Sequence, residues 1–291
     1  MKSISSKENS LYKQLLKAHL GKIKGQVLIE GVHLCHSWLE HHADPLLAIF
    51  NAAVLEHAKS GVCSGTAEHS EYKQAKEKTT ESALAMQSSG DEVWQLFNLL
   101  DTDQCIVVPD KLFRNLTHVD SPQGVLFLVN TPSCKVPAMI HENAVFLDRL
   151  QDPGNAGTIL RSAAAAGVRH VYLSKGCVSA WSSKVLRSAQ GAHFSLNIYE
   201  QQDLSGLINR TSIPVMATAL SDKAQSLYET RLPEQCVWLM GHEGQGVHPA
   251  LLSKATHQVF IPQTDLVESL NVGVAAGIVL FEHRRQRLYC V

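Results

Sequence analysis

Apolar positions recur at helical spacing in residues 9–20, where Leu11, Leu15 and Leu16 share one face beside Lys13 and Lys17, so the pattern predicts a helix. Val27–Glu30 reads as a short strand, Gly31 opens a helix through Trp38 and Leu39, and Pro45–Asn51 reads as the next strand. Residues 57–90 hold few large apolar side chains and much Lys, Glu, Ser and Thr, which predicts a loop and a solvated helix with some mobility. Asp91 is expected to cap a helix carrying Val93, Trp94, Leu96, Phe97 and Leu100. Cys105–Val108 is a further strand, and Pro109 suits the first turn of the helix after it. A junction is expected over 117–143, where Pro122, Gly124, Pro132 and Pro137 surround one apolar strand, Val125–Val129.

Beyond the junction the alternation is regular. Strands are predicted at Val145–Asp148, His170–Leu173, Phe194–Ile198, Val215–Ala219, Val237–Met240 and Gln258–Ile261. Helices are predicted at Asn155–Ala166, Ser182–Ala189, 201–209 and from about 269 to 287. Gly167 suits the left-handed position that ends a helix. Strands alternating with helices imply an α/β chain with a mostly parallel sheet covered on both faces. Two domains are expected: a small α/β domain over 1–118 and a parallel-sheet domain over 119–291.

Composition changes this picture little. The 291 residues are 45% hydrophobic and 18% charged, with a formal net charge of −1, as in an ordinary globular protein. Binding to nucleic acid must therefore come from local basic patches. Lys13, Lys17, Lys22 and Lys24 form one before Gly25, suited to phosphate contact or simply to a solvated face. The seven cysteines are widely spaced without a C-x-x-C pair, which argues against zinc-ribbon and thioredoxin-like readings and suits free thiols in a reducing cytosol. No apolar run approaches 18 residues, so no membrane span is expected.

Three short constellations carry candidate chemistry. In Asp152-Pro153-Gly154-Asn155-Ala156-Gly157, a strand runs into a turn, with Asn155 as the expected helix N-cap. Gly157 permits close approach of another backbone, and Arg161 follows one turn later, aimed at an anionic group or simply at solvent. In Gly241-His242-Glu243-Gly244-Gln245-Gly246, glycines at a strand end can present bare main-chain groups to a ligand. The loop lacks the Lys-Ser/Thr of a P-loop and the spacing of a dinucleotide fingerprint. In the third, Ile261-Pro262 ends a strand and Ser269-Leu270-Asn271 opens a helix, with Ser269 as its expected cap. Gly273, Ala275, Ala276 and Gly277 then point to close packing against another element or another subunit.

Taken together, the three resemble the motifs of the SpoU-TrmH family of SPOUT-class RNA 2′-O-ribose methyltransferases. Asn155, Gly157 and Arg161 match the first motif, and Gly241, Glu243 and Gly246 the second. Ile261, Pro262, Ser269, Leu270, Asn271 and Val272 match the third. Lys184–Ala192 looks like the segment between the first two, and Val27–Gly31 resembles the family's L30e-like substrate-binding domain. Gly273 stands where many members carry Ser, and His242 has no assigned part.

The resemblance implies S-adenosylmethionine held in a trefoil knot, a homodimer sharing its active site, and no metal; cytoplasmic residence is expected from the free thiols. By the same resemblance Gly241, Ile261, Leu270 and Ala219 lie against the cofactor. Arg161 acts on the ribose hydroxyl, while Asn155, Glu243, Ser269 and Asn271 position the reacting groups. Ribosomal RNA is the favoured substrate. Transfer RNA, a non-catalytic RNA-binding relative, and a Rossmann-type nucleotide enzyme are the alternatives.

Overall fold

The computed structural model describes residues 2–63 and 80–289, which form two compact units, Met1–Pro132 and Ser133–Val291. The first contains β1 (Lys2–Ser3), α1 (Ser10–His19), β2 (Gln26–Glu30), α2 (Val32–His41) and β3 (Leu47–Asn51). It continues with α3 (Ala52–Cys63), α4 (Thr80–Leu99), β4 (Cys105–Val108), α5 (Asp110–Arg114) and β5 (Val125–Asn130). Its sheet has the order β1-β4-β3-β5-β2, with β5 antiparallel to both neighbours. The amphipathic pattern of α1 is realised: Asn9 caps it through Oδ1, and Tyr12, Leu15 and Ala18 are buried against Leu28, Ile49, Ile106 and Phe113.

Two expectations for this unit change. The boundary expected after residue 118 falls at Pro132, because the Val125–Val129 strand belongs to the first sheet. Its five apolar residues are all buried, and they obtain that cover by lying between β2 and β3. Asp91 does not cap a helix, since α4 already runs from Thr80. Good helix formers at 83–87 carry the helix through that point, and Gly90 brings α4 close to Ala58 of α3. Of the expected loop and solvated helix at 57–90, residues 57–63 belong to α3 and 80–90 to α4, while 64–79 lie outside the described residues.

The second unit contains β6 (Ala144–Leu147), α6 (Pro153–Ala166), β7 (His170–Ser174), α7 (Ser183–Ala189), β8 (Asn197–Gln202) and α8 (Leu204–Ile208). It continues with β9 (Val215–Thr218), β10 (Gln225–Ser226), β11 (Val237–Met240), α9 (Pro249–Leu252), β12 (His257–Phe260) and α10 (Val272–Tyr289). All neighbours in its sheet, order β10-β12-β9-β11-β6-β7-β8, are parallel. The alternation within β11 shows how both faces are filled. Val237 and Leu239 join Phe146, Tyr172, Leu204 and Leu251 in the core beneath α8 and α9. Trp238 turns to the other face, where its indole Nε1 donates to Nδ1 of His283 on α10 at 3.2 Å.

Local chemistry sets the ends of these elements. Gly167 closes α6 with φ +81°, as expected. The strand expected at Phe194–Ile198 begins only at Asn197, because Ala192–Ser195 forms a 3₁₀ turn after the left-handed pair Gln190 and Gly191. Among the described residues, no helix is long and apolar enough to cross a membrane.

Candidate functional site

The loops after β6, β9, β11 and β12 meet at the carboxyl ends of the strands, the usual ligand edge of an open α/β sheet. The last three of these loops line a cleft of about 350 Å³. Ala219, Gly241, Ile261 and Leu270, the four expected cofactor residues, all line it, as do Ser269 and the whole Gly241–Val247 loop. A second cleft of about 440 Å³, lined by Glu142, Asn143 and Arg169, lies at the opposite strand ends, away from every motif residue.

Glycine at 241 is required by backbone packing. A Cβ there would come within 2.0 Å of both Gly246 C and Val247 N. The loop folds back on itself through paired main-chain hydrogen bonds between His242 and Gly246, at 3.0 and 2.8 Å. His242 Nδ1 accepts the Gly244 N–H at 3.0 Å, which gives this side chain a definite role in shaping the loop.

Glu243 is half-buried and points back at the start of α6. Its Oε1 accepts from the main-chain N of Asp152 at 2.9 Å and from Asn155 Nδ2 at 3.2 Å, and its Oε2 accepts from Gln151 N at 3.3 Å. Burial alone would raise its pKa, but the Asp152 N–H and the other donors outweigh it and hold the carboxyl below its usual value. Asn155 extends the chain of bonds, its Oδ1 accepting from Asn271 Nδ2 at 2.8 Å. Asn271 Oδ1 in turn accepts from the main-chain N of Gly273 and Val274, at 2.9 and 3.2 Å. A carboxylate at one end and two N–H donors at the other allow only one orientation of both amides. One relay, Glu243–Asn155–Asn271, thus ties together all three constellations.

Two caps differ from expectation. Asn155 does not cap α6; Asp152 does, accepting the Asn155 N–H at 2.7 Å, with Pro153 in the first turn. A proline there lacks the N–H that a cap would otherwise serve, so the cap falls on the residue before it. That frees the Asn155 side chain for the relay. Ser269 does not cap α10 either; Asn271 does, and Ser269 sits exposed on the rim of the cleft.

Gly157 is packed as expected. A Cβ there would lie 1.8 Å from Ser188 Oγ and 2.8 Å from Ala189 N of α7. Arg161, one turn later, is exposed on α6, and no hydrogen bond or ion pair ties it to another described residue. The small residues of α10 meet α6: a Cβ on Gly273 would lie 3.1 Å from Thr158 Cγ2, and one on Gly277 3.9 Å from Ser162 Oγ. In the first unit, Lys13, Lys17, Lys22 and Lys24 are all exposed, and Lys13 pairs with Glu8 at 2.5 Å.

Sequence reasoning missed Asp148 and Arg149 at the end of β6. Asp148 is only 3% exposed, and its Oδ2 accepts the His248 N–H at 2.9 Å. Only the position of the pair, at a strand's carboxyl end, hinted at a part in the site.

A parallel α/β unit with a backbone-lined cleft, and beside it one relay joining three loops, is the architecture of a nucleotide-type ligand site without a dinucleotide fingerprint. Residues 142–281 match the model of the SpoU rRNA methylase family. An uncharacterized tRNA/rRNA methyltransferase of Synechocystis sp. is 33% identical over 293 residues, spanning 98% of this chain and 94% of that protein. The 23S rRNA (guanosine(2553)-2′-O)-methyltransferase RlmP of Bacillus subtilis is 34% identical over 183 residues, or 62% of this chain and 73% of that one. The AdoMet-bound rRNA methyltransferase from Sinorhizobium meliloti shares the fold with TM-score 0.74 and 23% identity, over 99% of this chain and 98% of that one. So does the SpoU methyltransferase AviRb from Streptomyces viridochromogenes in complex with AdoMet, with TM-score 0.75 and 20% identity over 97% and 99%. The chain belongs to the SpoU rRNA methylase family.

Proposed function

We propose that this protein transfers a methyl group from S-adenosylmethionine to a ribose 2′-hydroxyl of RNA, with ribosomal RNA the favoured substrate. The observation that carries this reading is the Glu243–Asn155–Asn271 relay standing beside the cleft lined by Gly241, Ile261 and Leu270. The names of the relatives, RlmP among them, support the ribosomal substrate. A transfer-RNA substrate is the second reading, favoured by the mixed tRNA/rRNA name of the Synechocystis relative.

The cleft suits the cofactor. Its volume lies in the range of small-molecule sites. The segment after β12 lines the cleft through Ile261, Gln263, Ser269 and Leu270, and Gln263 Nε2 braces it by donating to the Glu268 carbonyl at 3.2 Å. When bound, the cofactor supplies a methyl group already activated on a sulfonium, so the chain needs only to align the ribose and manage its proton. Gly241, Ile261, Leu270 and Ala219 form the wall against the donor. Asn155 and Asn271, locked by Glu243, hold the ends of α6 and α10 in register beside it. Ser269 faces the ribose from the rim.

Arg161 lies on α6 with no partner for its guanidinium among the described residues, suited to an RNA group. A guanidinium stays protonated near neutral pH, so it serves as an electrostatic stabiliser of the forming alkoxide and not as the base. The hydroxyl proton leaves to an RNA phosphate or to water.

The first unit is proposed as an L30e-like RNA-holding domain, with the exposed Lys13, Lys17, Lys22 and Lys24 as phosphate contacts. A homodimer is part of the same proposal. Val274, Phe281 and Leu288 recur every seven residues on α10 and are about half exposed, at 52%, 49% and 52%. Gly273, Ala276, Leu280 and His283 of the same helix are buried. The family's trefoil knot is also proposed, supported by the return of the chain from β12 to lay α10 on α6. Cytoplasmic residence fits the free buried thiols Cys35, Cys105 and Cys236.

Calorimetric titration with S-adenosylmethionine and, separately, with NAD tests the cofactor. Binding of the first alone is expected; binding of NAD alone would overturn the proposal in favour of a nucleotide oxidoreductase.

A further inference from the structure

The structure assigns Arg149 as a positioning residue: a clamp that holds the Gly241–Val247 wall of the cleft against the end of β6. The assignment rests on the cofactor reading above for what the wall does, but the clamp itself rests on geometry alone.

Arg149 has φ +54°, in the left-handed region that a side chain other than Gly, Asn or Asp rarely occupies. Such strain persists only where surrounding contacts enforce it. Here they do. The Arg149 main-chain N donates to Ser174 Oγ at 2.8 Å, and the turned backbone sends the side chain across to the glycine loop. Its Nη1 donates to Gln245 Oε1 at 2.9 Å and its Nη2 to the carbonyl of Gly246 at 3.4 Å. Its Nε donates to the Asp148 carboxylate at 3.3 Å. Asp148 is buried and holds the far end of the same loop through the His248 N–H at 2.9 Å. On the other flank, Glu243 accepts from Gln151, Asp152 and Asn155. Residues 148–155 therefore grip the loop on both sides, and Arg149 is the grip on the side of Gln245 and Gly246.

That placement matters because the loop's main chain forms the cleft wall. A wall fixed in advance binds without first having to be ordered. Neither role is required of a surface arginine: the Arg149 side chain is only 30% exposed and spans two loops separated by 96 positions in the chain.

Arg149→Gly removes the clamp and the backbone strain together. Arg149→Lys keeps the charge beside Asp148 and loses the fork. Amide exchange of residues 243–246 in the free protein reads the clamp without any ligand, and it is expected to quicken in both variants. Affinity for S-adenosylmethionine is expected to fall by about three- to tenfold, raising its KM with kcat little changed. Unchanged exchange in folded variants would overturn the clamp. Quickened exchange with unchanged affinity, in a wild type that binds the cofactor, would overturn its role in positioning the wall. A wild type that does not bind S-adenosylmethionine would sink the cofactor reading instead, while the exchange result still decides the clamp.

Discussion

Asn155→Asp changes one atom's chemistry at the centre of the relay. The Nδ2 that donates to Glu243 Oε1 at 3.2 Å becomes a carboxylate oxygen, while the oxygen that accepts from Asn271 is kept. Two costs follow. A hydrogen bond to a charged acceptor disappears, worth about 1.5 kcal/mol in this class. Two carboxylates then face each other at roughly 4 Å, worth about 1 kcal/mol in water and about 4 kcal/mol near a protein surface. Glu243 is half exposed, so the lower part of that range applies, and the sum is roughly 2–3 kcal/mol.

If the whole of that loss falls on site geometry, kcat/KM drops roughly 30- to 150-fold at pH 8. The pH dependence separates this mechanism from mere disruption. In the wild type, Glu243 is held below its usual value, so its stabilising contribution is complete above about pH 4.5 and is lost as the pH falls through the folded-state value. In the variant the facing pair raises one of its two titrations, and a shared proton restores the donor on acidification. The variant-to-wild-type ratio of kcat/KM, measured by radiolabel transfer from pH 8 to pH 5.5, should therefore rise as the pH falls. Asn155→Ala should show no such recovery. Equal pH profiles for the two variants, or wild-type activity for Asn155→Asp at pH 8, would refute the relay.

Arg161→Lys keeps a cation on α6 but not the planar fork, so kcat should fall at least about tenfold with cofactor affinity unchanged, as read by single-turnover kinetics and calorimetry. Gly157→Ala forces a methyl group onto Ser188 and the backbone of Ala189, and thermal unfolding should move down by about 5–10 °C for a cost of about 2–3 kcal/mol. Gly244→Ala meets nothing within 4 Å and should melt close to wild type. His193 is buried with its Nε2 on the Ala180 carbonyl, and burial pushes its pKa down to about 4. The unfolded chain protonates this group near 6.5, so its contribution is complete above about pH 6.5 and falls by roughly 3 kcal/mol toward pH 4. Urea unfolding of His193→Gln should show a flatter loss of stability across that window.

What the chain disclosed in advance followed the range of each interaction. The alternation after residue 143 was legible because its central strands are apolar and buried throughout, as in Ala144–Leu147 and Val237–Met240. The Val125–Val129 strand was legible as a strand but not as part of the first sheet, since Gln26 pairs with Asn130 across 104 positions. Asp91 looked like a cap because local propensity cannot see that α4 packs on α3.

The site divides in the same way. Gly157, Glu243 and Asn271 announced themselves by motif. The exchange of cap roles from Asn155 to Asp152, and from Ser269 to Asn271, depended on where Pro153 and the relay drew each side chain. Arg149 gave no signal beyond its place at a strand's carboxyl end, because its part depends on a left-handed backbone that nothing in residues 147–151 demands.

Ribose methylation by this protein is decided by mass-spectrometric nucleoside analysis of unmodified ribosomal RNA after incubation with the purified protein and isotope-labelled S-adenosylmethionine. Label is expected in a 2′-O-methylated nucleoside, strongly reduced with Arg161→Lys or Asn155→Asp. Label on a base, or no transfer from a protein that binds the cofactor and the RNA, would contradict it.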